Sequence, residues 1–226
     1  MRRPSDRLLV PELIFCALPL AYYLLRLPSM PETVPVHWNA AGEVTRYAPR
    51  FCFEMLLLGC LGYFGLLLGM AVRSSVLGLT KDEKNMDHAV VDRLMRWVQA
   101  LMCLLFTGMA LYDISKLCLG QEPGQGFAWK LGMAVIALSL IVTGDQLPKL
   151  QRNRYSGART AYSMSGDEAW HKTQRYAGRV MMAAGAGLLV ITLLPVVSAE
   201  GSVLAAAAAL AAVLILTLSY KGGKKQ

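Results

Sequence analysis

The sequence contains no HExxH, no GxSxG and no paired aspartates of an intramembrane protease, so the common metal, serine and aspartyl hydrolase chemistries have no residues to run on. Its five cysteines, Cys16, Cys52, Cys60, Cys103 and Cys118, show no CxxC spacing and have no neighbouring histidines. They read as packed thiols, with no metal and no cofactor expected. Charge is scarce as well, at 17% of residues against 55% hydrophobic, and it falls in blocks between long apolar stretches. That pattern excludes an ordinary soluble domain and describes a membrane bundle, and with the motifs above missing no enzymatic activity is expected. The net charge of +8 would suit nucleic acid. The basic residues, however, flank apolar stretches, where Lys and Arg mark the cytoplasmic side and meet anionic lipid, so membrane lipids are the expected partners and direct nucleic-acid binding is not.

A helix needs about 20 mostly apolar residues to cross roughly 30 Å of hydrocarbon. Six stretches qualify: 8–27, 51–72, 97–117, 128–148, 180–198 and 203–220. The first follows Arg2, Arg3 and Arg7 as a signal peptide would, yet it lacks a small-x-small cleavage site before Pro28 and is expected to be a retained helix. Assigning alternate connections to opposite sides puts 18 basic residues on one side and Arg26, Arg46, Arg50, Lys116 and Lys130 on the other. The excess marks the cytoplasm. The expected fold is therefore all-α, a polytopic bundle of six transmembrane helices, N-in and C-in, with a short extended external loop, 28–50, after helix one. Residues 73–96 and 149–179 become cytoplasmic loops. The chain divides in this reading into a two-helix unit (1–72), a third helix with its flanking loops (73–127), and a unit of helices four to six (128–226).

Lipid tails are as apolar as leucine, so helices in a bilayer associate by close packing, and small residues on one face mark the contacts. Gly59, Gly62, Gly65 and Gly69 share a sector of the second span and predict a tight crossing; the GxxxG at Gly65–Gly69 also leaves a homodimer open. Ala183, Gly187, Ala205, Ala209 and Ala212 predict a close hairpin of the last two spans. Four carboxylates fall inside spans: Glu12 and Asp145 toward the cytoplasmic ends, Glu54 and Asp113 toward the external ends. An ionisable group costs about 2.5–3.5 kcal/mol at the bilayer centre on insertion scales and less near the interface, so each needs a partner or water. Interfacial anchoring and a proton or cation pathway are both open readings of these acids.

Two loops carry information. Pro31 to Val44 alternates apolar and polar residues and then breaks at Asn39 to Gly42, an extended run into a turn. His37 supplies a group that titrates near neutral pH and Trp38 an aromatic suited to the interface or to an amphipathic ligand; a lone histidine also reads as structural. In 149–179, Ser165 or Asp167 is positioned to cap a helix starting near Glu168 and running through Gly178 into the fifth span, which leaves Trp170 near the headgroup level.

The two loops together resemble the SdpI family of bacterial membrane immunity proteins over nearly the whole chain. The first carries Leu27-Pro28 and a Val-Pro-Val-His-Trp-Asn-x-x-Gly core, similar to the family's N-terminal His-x-Asn-x-x-Gly domain. The second matches its cytoplasmic signature at Asn153, Gly157, Arg159, Thr160, Trp170, Thr173 and Gly178, preceded by Gly144, Leu147, Pro148 and Lys149. It departs at Ala161-Tyr162, where the family has Pro-Trp, and at Gln174, where it has His or Asn. The resemblance implies immunity to a membrane-active toxin peptide and receptor-like recruitment of a cytoplasmic transcriptional repressor. It implies toxin contact at His37, Trp38, Asn39 and Gly42 and partner docking at Asn153, Gly157, Arg159, Thr160, Trp170 and Arg175. A small-solute or ion transporter is the competing reading.

Overall fold

A computed structural model describes residues 9–39, 43–82, 87–153 and 155–221. Of the residues singled out above, Arg2, Arg3, Arg7 and Gly42 lie outside the described residues. The order is α1 (Leu9–Arg26), β1 (Thr33–Trp38), β2 (Val44–Pro49), α2 (Phe53–Gly59), α3 (Leu61–Leu79), α4 (His88–Cys118), α5 (Gln125–Gln146), α6 (Asp167–Leu193) and α7 (Ala199–Ser219). Among the described residues six helices are long and apolar enough to cross a membrane. Large apolar side chains such as Leu25, Leu67, Leu193, Leu204 and Ile215 are exposed along them, a surface that water disfavours and lipid accepts.

The chain divides into two compact units, Met1–Ala71 with Gln99–Leu131 and Val72–Val98 with Gly132–Gln226. In the first, a Cβ at Gly62 would come within 2.9 Å of the Cys16 carbonyl, one at Gly65 within 2.8 Å of the Met102 carbonyl, and one at Gly69 within 2.7 Å of Gln99 Cα. The glycine sector is thus the surface on which α1 and α4 approach α3. Both glycines of the GxxxG face α4 of the same chain. Beside this seam Gln99 Nε2 donates to Glu12 Oε2 at 2.5 Å, and both residues are buried.

In the second unit the tightest approach is between α5 and α6: a Cβ at Gly178 would lie 2.5 Å from the Gly144 carbonyl, and one at Gly185 would lie 2.6 Å from the Ala137 carbonyl. α7 completes a core of Met133, Ala137, Leu188 and Ala206, with Ala205 and Ala209 packed against it. Gly187 takes no part, because nothing lies within 4 Å of where its Cβ would be.

Several boundaries differ from expectation. The second apolar stretch is broken at Cys60, whose amide is shared between the Leu56 and Leu57 carbonyls at 3.0 and 3.1 Å, and its helix continues to Leu79. The charged segment 73–96, expected as a loop, is mostly helical. α4 begins at His88, and Arg73 Nη2 pairs with Asp92 Oδ1 at 2.6 Å, so these charges are satisfied on helices. α6 begins at Asp167 without a side-chain cap. Ser165 Oγ instead donates to the Tyr162 carbonyl at 2.7 Å. As expected, α6 runs unbroken through Gly178; it ends at Leu193, two residues before Pro195, which removes an amide and constrains the residue ahead of it. The segment 28–50 is more ordered than an extended loop, since β1 and β2 pair as an antiparallel hairpin.

Candidate functional site

The hairpin is tied to the first unit at both ends. Tyr23 Oη donates to the Arg50 carbonyl at 2.7 Å, and Arg50 Nη1 donates to the Pro28 and Met30 carbonyls at 3.3 and 3.0 Å. Val34 is buried beneath it among Tyr23, Met30, Met55, Ile114 and Leu117. At the far end Asn39 bonds Glu43 twice: its Oδ1 accepts from the Glu43 amide at 2.9 Å and its Nδ2 donates to Glu43 Oε2 at 2.8 Å. Pairing is irregular between Pro35 and Trp38, and such bulges re-aim side chains. His37 is exposed, with Nδ1 2.6 Å from Thr45 Oγ1, whereas Trp38 is half-buried and turns inward.

Trp38 turns toward a cavity of about 730 Å³, bounded by Pro35 and Val36 of β1, by residues 54–61, by Asp113 and Leu117 of α4, and by Glu122 to Gly124 with Ala128. That volume is in the range of sites for small organic ligands. The wall is mostly apolar and holds three carboxylates, Glu54, Asp113 and Glu122, with no Lys, Arg or His among the described residues that line it. Arg46 Nη2 meets Glu54 Oε1 at 2.6 Å. Asp113 has no hydrogen-bond or ion-pair partner among the described residues. Glu122 was missed in the sequence because it stands in a short connection with nothing around it to mark a site. The cavity itself is assembled from four separated segments.

In the second unit, Trp170 organises residues 149–179. It is fully buried and packs with Val90, Leu147, Leu150 and Ala177, and its Nε1 donates to the Leu150 carbonyl at 2.8 Å. Its ring is thus packed within the fold, and its indole N–H has a partner there. Gln174, also fully buried, clamps Ala158 from both sides: Oε1 accepts from the Ala158 amide at 2.9 Å and Nε2 donates to its carbonyl at 3.0 Å. Next to that clamp Gly157 adopts φ 103°, and a Cβ there would lie 2.9 Å from Gln174 Oε1; only glycine takes that conformation without cost. Asn153 is buried and folds the chain back on itself, its Oδ1 accepting from the amides of Tyr155 and Ser156 at 2.8 Å each. Thr160 and Ser163 exchange backbone and side-chain bonds. Tyr162, at the departure from the family pattern, packs edge-on against Tyr220, which stacks on Tyr176 at 4.3 Å.

Of the six residues read as a docking surface, Arg159 and Arg175 are exposed, while Asn153 and Trp170 are buried. Arg175 Nε donates to the His171 carbonyl at 3.3 Å. Of the four acids in spans, Glu12, Glu54 and Asp145 have bonded partners, the last at 2.6 Å from both Lys149 Nζ and Gln146 Nε2. Among the described residues no group of three or more His, Cys, Asp or Glu side chains is placed to hold a metal.

Comparison with known families adds two matches. Residues 149–221 match the SdpI/YfhL protein family, and residues 14–62 match a domain of unknown function, DUF1648. The first match contains the Trp170 and Gln174 contacts; the second contains the hairpin and the start of the cavity wall. No curated protein and no solved structure matches the chain.

Proposed function

The chain belongs to the SdpI/YfhL protein family through residues 149–221, and from that premise we propose that it is a multi-pass membrane immunity protein that protects its cell against a membrane-active toxin peptide. The observation that carries this reading is the family segment itself, set in a chain with six helices fit to cross a membrane. The basic-residue asymmetry supports an N-in, C-in topology with the hairpin outside and 149–179 in the cytoplasm. A membrane-active peptide must expose apolar surface, and a hairpin carrying an exposed His37 beside Trp38 offers a place for that surface other than lipid. Asn39 serves it by joining the two strands through its bonds to Glu43.

On the cytoplasmic face, Arg159 and Arg175 are the exposed charges we assign to a partner, a transcriptional repressor in the family's manner. Asn153, Gly157, Thr160 and Trp170 hold the segment that presents them. Transport needs free acids along a path. The bonds of Glu12, Glu54 and Asp145 leave only Asp113 of the four without a partner among the described residues, which gives a proton or cation path less support than the immunity reading.

The test is survival of a sensitive strain producing the protein and challenged with candidate toxin peptides. Protection by the native chain, lost in His37→Ala and kept in Arg159→Ala, is the expected result. Equal killing with and without the native chain, across a panel that includes membrane-active peptides of both charge signs, would remove the reading.

A further inference from the structure

We propose that the cavity beneath the hairpin is a binding site for a lipophilic organic cation: one positive centre carried on an apolar body. This goes beyond the immunity reading and holds or fails whether or not a toxin peptide is found. The protein as a whole is basic, at +8, yet among the described residues the cavity wall carries three carboxylates and no basic side chain. Arg46 answers Glu54 at 2.6 Å. No described cation answers the half-buried Asp113 or the exposed Glu122, so two of the three wall acids stand without a basic partner among the described residues.

A carboxylate at the half-buried Asp113 is only partly solvated, and a cation that brings its own apolar surface satisfies both that carboxylate and the wall. An anion of the same shape meets repulsion, and a neutral one leaves Asp113 unanswered. Trp38 forms part of the wall, and an aromatic face attracts a desolvated cation. The volume of about 730 Å³ admits one such molecule. The four wall segments belong to one compact unit, so the site is formed within a single body.

The experiment uses the full chain in nanodiscs of phosphatidylcholine and two rigid probes of nearly equal shape and opposite charge, tetraphenylphosphonium and tetraphenylborate. Saturable binding of the phosphonium is expected, weakened about tenfold or more in Asp113→Asn and in the cavity-filling Ala128→Phe, with no saturable binding of the borate. Thermal unfolding of each variant establishes that it is folded, and if Asp113→Asn does not fold, Ala128→Phe and Glu122→Gln decide in the same assay. Three results overturn the proposal: no saturable phosphonium binding, as when bilayer lipid fills the cavity; equal affinity for both probes; or native affinity in the folded variants.

Discussion

Replacing Gln174 by Met keeps the reach of the side chain and removes both of its bonds to Ala158, which makes it a direct probe of how residues 153–160 are held. The side chain is fully buried, and its amide bonds the Ala158 N–H at 2.9 Å and C=O at 3.0 Å. Two lost hydrogen bonds are worth about 1 kcal/mol each, and a backbone group left unpaired away from water costs about 1–3 kcal/mol more. Ala158 is half-buried, so water recovers part of that cost and the net loss is about 2–4 kcal/mol. The effect is local, because the core around Trp170 does not depend on the amide. Hydrogen exchange followed by mass spectrometry on the protein in nanodiscs reads it: the peptide covering 153–160 should exchange about 30- to 700-fold faster than in the native chain. Peptides from the middle of α6 should be unchanged. Exchange at 153–160 within threefold of native would refute the clamp as the element that orders this segment.

Three further outcomes follow from the same geometry. Gly157→Ala meets both an unfavourable φ of 103° and Gln174 Oε1 2.9 Å from the new Cβ, so thermal unfolding should show a loss of about 1–3 kcal/mol. Gly185→Ala and Gly187→Ala lie two residues apart on α6 and should differ in sign. The first drives a methyl to 2.6 Å from the Ala137 carbonyl and lowers the unfolding temperature, while the second meets open space and stabilises by about 0.5–1 kcal/mol through helix propensity. Arg46→Ala removes an exposed ion pair at 2.6 Å and should change stability by less than about 1 kcal/mol, an effect that fades further as salt is raised.

The spans were legible because a run of apolar residues long enough to cross a bilayer has few other uses. Their ends were not, since helical hydrogen bonding continues through charges once these find partners, as Arg73 does with Asp92. The glycine sector of α3 was legible from periodicity alone. Gly187 was misassigned because helical spacing says which residues share a face but not which face meets a neighbour. Trp170 illustrates the same limit: near a span, an indole suits the interface by composition, and only the fold supplies the Leu150 carbonyl that takes it inside. The cavity was invisible for a related reason, as residues near 36, 57, 115 and 123 share no local pattern.

The functional account divides the chain into a face that meets a toxin and a face that meets a cytoplasmic partner, so the side on which each segment lies is its central claim. Single reporter thiols test it, with Cys52 and Cys60 replaced and the buried Cys16, Cys103 and Cys118 retained. Tyr47→Cys on the hairpin and Arg159→Cys in the family segment are both at exposed positions. In intact cells a membrane-impermeant maleimide should label the Tyr47→Cys protein at once and the Arg159→Cys protein only after permeabilisation. Labelling of both from outside, or of Arg159→Cys alone, would contradict the account.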